Sequence, residues 1–211
     1  MRPLLLPCRT VLFVATTLAL GAFSCQDGAP SNDMVGIPCS SDDERQLDFA
    51  GYSVAEIVIE TSSPVCGTGA CLVHHFQGRT TCPYGQTEAE ATSQTPKPES
   101  QLCHTPAGAT ADERVRVAVA PQLVGRLAAD AVHCSCRCAG PDPTASYCTC
   151  PSGFECRELL PPVAGIDDRG VAGSYCVRET APIEVGTRGP ECTVTAPELD
   201  PAGPCGPYAA K

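Results

Sequence analysis

Cys134-Ser-Cys-Arg-Cys138, a short Gly/Pro/Asp-rich turn, and Cys148-Thr-Cys-Pro-Ser-Gly-Phe-Glu-Cys156 together hold six of the chain's 16 cysteines. Their spacing speaks first about strands. In an extended segment alternate residues share a face, so Cys134, Cys136 and Cys138 would line one side at steps of ~6.6 Å, with Ser135 and Arg137 on the other. If the two stretches form an antiparallel hairpin, one register sets Cys138 opposite Cys148 and Cys136 opposite Cys150. Directly opposed residues of a non-hydrogen-bonded pair lie ~4.5 Å apart at Cα, within disulfide reach. That register makes two adjacent disulfide rungs possible, and Gly173-Ser-Tyr-Cys176 could supply another strand closing the cluster.

Reading outward gives more short strands. Ser53 to Thr61 (SVAEIVIET) is β-branched and bounded by Gly51 and by Ser62-Ser63-Pro64. Cys66-Gly-Thr-Gly-Ala-Cys71 reads as a glycine turn, and Leu72 to Phe76 as the next strand. Arg114 to Ala120 (RVRVAVA) alternates polar and apolar with period 2, as a half-buried strand does. Pro121 to Ala129 reads as a short helical turn opened by proline. The fold class is therefore small and disulfide-rich, mainly β, with short strands and much irregular loop. Residues 39–85 form a first Cys-rich β unit and 102–178 a second. Between them, 86–101 (QTEAEATSQTPKPESQ) has no aromatic and no Val, Ile, Leu or Met, and reads as a linker or exposed loop. Residues 179–211 are a Pro-rich C-terminal tail, in which Cys192 and Cys205 either close a local loop or staple the tail to the body.

The N-terminus carries export information. Arg2 and Arg9 precede an uncharged run from Val11 to Ala22, and small residues follow. That is the form of a secretory signal peptide, here 1–24. Twelve helical residues rise only ~18 Å, short of a ~30 Å hydrocarbon core. Ala22-Phe-Ser-Cys25 suits an ordinary signal peptidase. It also resembles the lipobox of bacterial lipoproteins, in which the first mature residue is a cysteine whose thiol is diacylated. That resemblance implies lipid attachment at Cys25 and a membrane partner reached through the anchor. Gln26, rather than Asp, implies the outer membrane. Residues 25–38 then read as a tether.

Cysteine arithmetic agrees with export. Of 16 cysteines, Cys8 leaves with the signal and Cys25 takes lipid, which leaves 14. These are Cys39, Cys66, Cys71, Cys82, Cys103, Cys134, Cys136, Cys138, Cys148, Cys150, Cys156, Cys176, Cys192 and Cys205. The number is even, as a set of structural disulfides requires, and their connectivity is not deducible from sequence. An exported chain meets an oxidising compartment where disulfides persist. Its apolar content is thin, with no Trp and 5% aromatics. Crosslinks worth ~2–4 kcal/mol each are expected to supply what the core lacks.

Two further resemblances follow. Cys148-Thr-Cys150-Pro-Ser-Gly-Phe resembles the second half of an EGF-like module, a partial CxCPxGF signature. Cys156 follows too soon and the CSCRC spacing is too tight for the complete module, so the likeness carries over a style of short strands, turns and crosslinks. The ensemble of Leu72–Gly85 (LVHHFQGRTTCPYG), CSCRC, CTCPSGFEC and the closing GSYC at 173–176 resembles the cysteine-rich lipoproteins of myxobacteria. It covers about half the mature chain and implies an envelope location. Arg outnumbers Lys twelve to two, in keeping with a GC-rich source.

Chemistry is sparse. A net charge of −10 without a basic stripe makes a poor nucleic-acid binder. Ser40 to Glu44 (SSDDE) reads as a solvated acidic patch without calcium-loop spacing. Cys71, His74, His75 and Cys82 have a spacing that could hold zinc, and the Cys134–Cys150 run is rich in soft ligands. Metal needs thiolates, however, and export favours disulfides with ordinary surface histidines, so no metal or cofactor is expected. Cys-x-x-Cys, Gly-x-Ser-x-Gly, His-Glu-x-x-His and a phosphate loop are all missing. The expectation is a non-enzymatic envelope protein, in the outer membrane through its lipid or extracellular, with a structural or interaction role toward envelope proteins or glycans. The alternative is a thiol-rich metal-binding or redox protein of the periplasm.

Overall fold

The structure, a computed structural model, describes residues 32–92, 103–106, 114–164, 170–179, 189–192 and 205. The expected signal peptide, Cys25, much of 86–101 and most of the tail lie outside them. Among the described residues, six strands make two antiparallel sheets. The first has order β1-β2-β3, with β1 at Ile57–Glu60, β2 at Ala70–His74 and β3 at Val132–Ser135. The second contains β4 at Arg137–Ala139, β5 at Phe154–Leu160 and β6 at Gly173–Arg178, in the order β4-β6-β5. This is the small, disulfide-rich, mainly β fold that the cysteine count and the strand patterns call for.

β2 is buried along its whole length, because it is the central strand and both faces are covered. Cys71 and Val73 point into a core of Cys39, Tyr52, Cys66, Phe76, Ala131, Val132 and Cys134. Leu72 points the other way, to Leu159, Tyr175 and Val177 of the second sheet, with Ile57 and Ile59 beside it. The two sheets thus pack through the Leu72 face. The register Ile59↔Leu72 and Leu72↔His133 puts these three residues on that face.

The CSCRC run does not form one strand. Its regular pairing stops at Cys136: β3 ends at Ser135 in the first sheet and β4 begins at Arg137 in the second. The expected hairpin rungs are also absent. The bonds are Cys136–Cys148, Cys138–Cys156 and Cys150–Cys176. The reason is strand competition. β4 takes β6 as its ladder partner, with Arg137 opposite Tyr175. The 148–150 segment meets β4 through a single backbone bond, Cys148 N–H to Arg137 O at 3.0 Å. Cys150 is left facing β6, where Cys176 sits. Gly173 opens β6 at φ +135°, and a Cβ there would lie 2.1 Å from Ala139 O, so GSYC needs its glycine to reach β4.

Arg114 to Ala120 is not a strand either, although its alternation is genuine. Val115 and Val119 are buried in a cluster with Cys82 and Cys103, and Val117 packs against it. Hydrogen bonds decide the outcome. Val115 N–H donates to Cys103 O, Arg116 N–H to Leu47 O and Val119 N–H to Gln86 O. The Gln86 side-chain amide donates to Val115 O and Val117 O. A side chain and three separate segments replace the neighbouring strand, so no ladder forms. Pro121 to Ala129 begins with a turn at Leu123–Arg126, and helix α2 starts only at Ala128 (Ala128–Ala131). Inside the linker-like stretch a short helix, α1 (Glu88–Thr92), begins at a reciprocal cap. Thr87 N–H donates to Glu90 Oε2 and Glu90 N–H to Thr87 Oγ1.

Ser40 to Glu44 is only partly solvated. Ser41 and Glu44 are buried, and Glu44 pairs with Arg79 at 3.6 Å. Arg79 also donates to the carbonyls of Glu44, Gln46 and Phe49, and Thr80 N–H donates to Glu44 Oε1 at 2.7 Å. One guanidinium therefore pins the whole 44–49 loop. Burial pushes the Glu44 carboxyl up, against the pull of Thr80 and Arg79. Removing one member of such a pair strands a charge, at about 3–5 kcal/mol. Arg79→Met should cost that much in urea unfolding with disulfides intact, and Arg79→Met with Glu44→Leu should recover part of it. A single-variant loss under about 1 kcal/mol would contradict the role given to this pair.

Candidate functional site

All 14 cysteines from Cys39 onward are paired. Besides the three bonds above, the pairs are Cys39–Cys71, Cys66–Cys134, Cys82–Cys103 and Cys192–Cys205. Cys66–Cys134 ties the segment before β2 to β3. The tail is both locally closed and docked: Cys192 pairs with Cys205, while Cys192 N–H donates to Gln122 O and Val124 N–H to Pro190 O, each at 2.8 Å. The local-loop reading of those cysteines is the one that holds; the tail meets the body through backbone hydrogen bonds, not through a disulfide.

The sulfurs are grouped. Those of Cys39, Cys66 and Cys134 lie within 4.8 Å of one another, as do those of Cys136, Cys148 and Cys176, and those of Cys138, Cys150 and Cys156. The last two groups share the Cys150–Cys176 disulfide. Three disulfides therefore form a continuous row, Cys138–Cys156, Cys150–Cys176, Cys136–Cys148. Cys176 Sγ lies 3.8 Å from both Cys136 Sγ and Cys148 Sγ. One end is open, with Cys156 exposed, and the other is buried at Cys136 and Cys148.

The zinc spacing does not assemble. Cys71 is bonded to Cys39 and Cys82 to Cys103, so neither supplies a thiolate. The histidines, expected at the surface, are instead mostly interior: His74, His75 and His133 are buried. The signal that would have found them is positional. His74 closes the all-buried strand β2, and His133 stands opposite Leu72 on the inter-sheet face.

Arg126, fully buried, organises this group. Its guanidinium donates to His75 O at 3.1 Å, to His74 O, and to His74 Nδ1 at 2.9 Å. A lone pair must therefore sit on His74 Nδ1, which fixes a neutral tautomer. His75 adopts φ +51°, with its Nδ1 2.9 Å from Val54 O and its N–H donating to Glu56 O. The two imidazoles stand 4.6 Å apart. His133 meets the Phe154 ring edge-on at 5.3 Å. Burial lowers His74 to about 3, helped by Arg126, and lowers His133 to about 4, helped by Arg178. At neutral pH His74 and His133 are thus uncharged imidazoles on the face between the sheets, suited to packing.

Compared with protein-family models, curated proteins and solved structures, the chain matches none.

The histidines make stability pH-dependent. In the unfolded chain they bind protons below about 6.5, while in the fold they resist until about 4 and about 3. Their contribution is complete above pH 6.5 and is lost as pH falls, at up to about 1.4 kcal/mol per pH unit for each. The raised carboxyl of Glu44 works in the opposite sense. Urea unfolding with disulfides intact should show stability rising from pH 4.5 to 6.5. His133→Gln should flatten that rise. An unchanged slope would contradict the buried neutral state of His133.

Proposed function

We propose that this chain is a lipid-anchored envelope protein, held in shape by disulfides and serving a structural or interaction role toward envelope proteins or glycans. The observation that carries the reading is the complete pairing of the 14 cysteines after Cys25. Seven disulfides in a chain of this size belong to an exported protein. Because those cysteines close among themselves, the fold asks nothing of Cys25, and its position after the apolar run suits lipid attachment. No helix among the described residues is long and apolar enough to cross a membrane.

The interior also speaks for a scaffold. Arg126 and His74 of the inter-sheet layer are spent on each other and on backbone carbonyls. The strands are short, and crosslinks worth ~2–4 kcal/mol each compensate for a small core.

The test is expression of the full chain, with its own leader, in a Gram-negative host, followed by detergent phase partition and intact mass. Wild type should enter the detergent phase and carry the added mass of acyl chains. Cys25→Ser should stay aqueous with no added mass. Both should show no titratable thiol before reduction. Aqueous partition of the wild type without added mass would contradict the anchor, and free thiols in the native protein would contradict the scaffold.

A further inference from the structure

The row of three disulfides has a direction. Its outer bond, Cys138–Cys156, joins a half-buried residue to an exposed one, Cys156, and its inner bond, Cys136–Cys148, is buried. The middle bond, Cys150–Cys176, is near both. Cys150 Sγ belongs to one 4.8 Å group with Cys138 and Cys156, and Cys176 Sγ lies 3.8 Å from both inner sulfurs. Thiol–disulfide exchange needs a thiolate beside a disulfide sulfur and access for the first attack. Both conditions meet here. They do not meet at Cys39–Cys71 and Cys66–Cys134, whose sulfurs also approach one another but whose four cysteines are all buried.

We propose that these three disulfides form an exchange relay that carries a surface reduction by an external dithiol inward to the residue where the chain changes sheets. The thiolate of the dithiol attacks Cys156 Sγ, the Cys138–Cys156 bond breaks, and Cys138 leaves as thiolate. Cys138 attacks Cys150, forming Cys138–Cys150 and releasing Cys176. Cys176 attacks Cys148, forming Cys148–Cys176 and releasing Cys136, or attacks Cys136 and releases Cys148. The second thiol of the dithiol resolves the mixed disulfide on Cys156. The dithiol ends as a disulfide, two electrons have entered the protein, and its two protons rest on Cys156 and on the inner cysteine. Each internal step exchanges one disulfide for another, so passage inward consumes no further reductant. The consequence is conformational. The crosslink at the sheet crossing changes partners, while Cys66–Cys134 still holds β3.

The experiment uses the purified, fully oxidised full-length protein. One molar equivalent of dithiothreitol is added at neutral pH, thiols are trapped with N-ethylmaleimide, and crosslinked peptides are mapped by mass spectrometry. The relay predicts maleimide on Cys156 together with Cys136, Cys148 or Cys176, and a new Cys138–Cys150 crosslink, with Cys39, Cys71, Cys66 and Cys134 unlabelled. In Cys150→Ser/Cys176→Ser protein, labelling of Cys136 and Cys148 should fall to background while Cys138 and Cys156 label fully. Label confined to Cys138 and Cys156 in the wild type, with the other two bonds native, would overturn the proposal. So would failure of any of the three to open, or equal labelling of the Cys39–Cys71 pair. The wild-type arm decides the matter even if the double variant fails to fold.

Discussion

The chain changes sheets at Cys136. Val132–Ser135 complete the first sheet beside β2, Arg137–Ala139 begin the second beside β6, and a single residue separates them. A crossing this short leaves no slack. It brings the face of β2 and β3 against β5 and β6, which is where Leu72 meets Leu159, Tyr175 and Val177. Disulfides hold it on both sides: Cys134 to Cys66 before it, Cys136 to Cys148 at it, and Cys138 to Cys156 after it. Ser135 adds a hydrogen bond from its hydroxyl to Cys176 O at 2.8 Å. The rest of the architecture follows from keeping these few residues extended and crosslinked.

Around that crossing the interior is unusually polar for so small a core. Arg79 and Arg126 are among the largest fully buried side chains, with Glu44 and His133 beside them in that set. The two arginines supply hydrogen bonds internally. A loop-rich protein has many backbone carbonyls outside ladders, and each must find a donor. One guanidinium offers five. Arg79 serves the carbonyls of the 44–49 loop, and Arg126 serves His74 and His75 where β2 ends. Arginine here does what regular pairing does in a larger sheet protein.

Much of the class was legible in the residues. The cysteine number, the β-branched run at 57–59 and the GSYC motif lead to a small, crosslinked β fold, and the strands lie where those patterns are strongest. Partner choice was not legible. The CSCRC alternation is compatible with one strand or with two sheets, and only the competition of β6 for β4 decides between them. The RVRVAVA alternation does report burial of Val115 and Val119, but its carbonyls are taken by Gln86, a long-range side-chain event. The histidines were misjudged because exposure was inferred from residue type, whereas their strands are covered on both faces. The Thr87-Glu-Ala-Glu90 cap was readable and marks the start of α1.

The fold rests on the connectivity at the sheet crossing. A non-reducing disulfide map of the native protein, digested at acid pH to prevent exchange, tests it most directly. The expected bonds are Cys66–Cys134, Cys136–Cys148, Cys138–Cys156 and Cys150–Cys176. Cys138–Cys148 together with Cys136–Cys150 would restore a simple hairpin and contradict this connectivity.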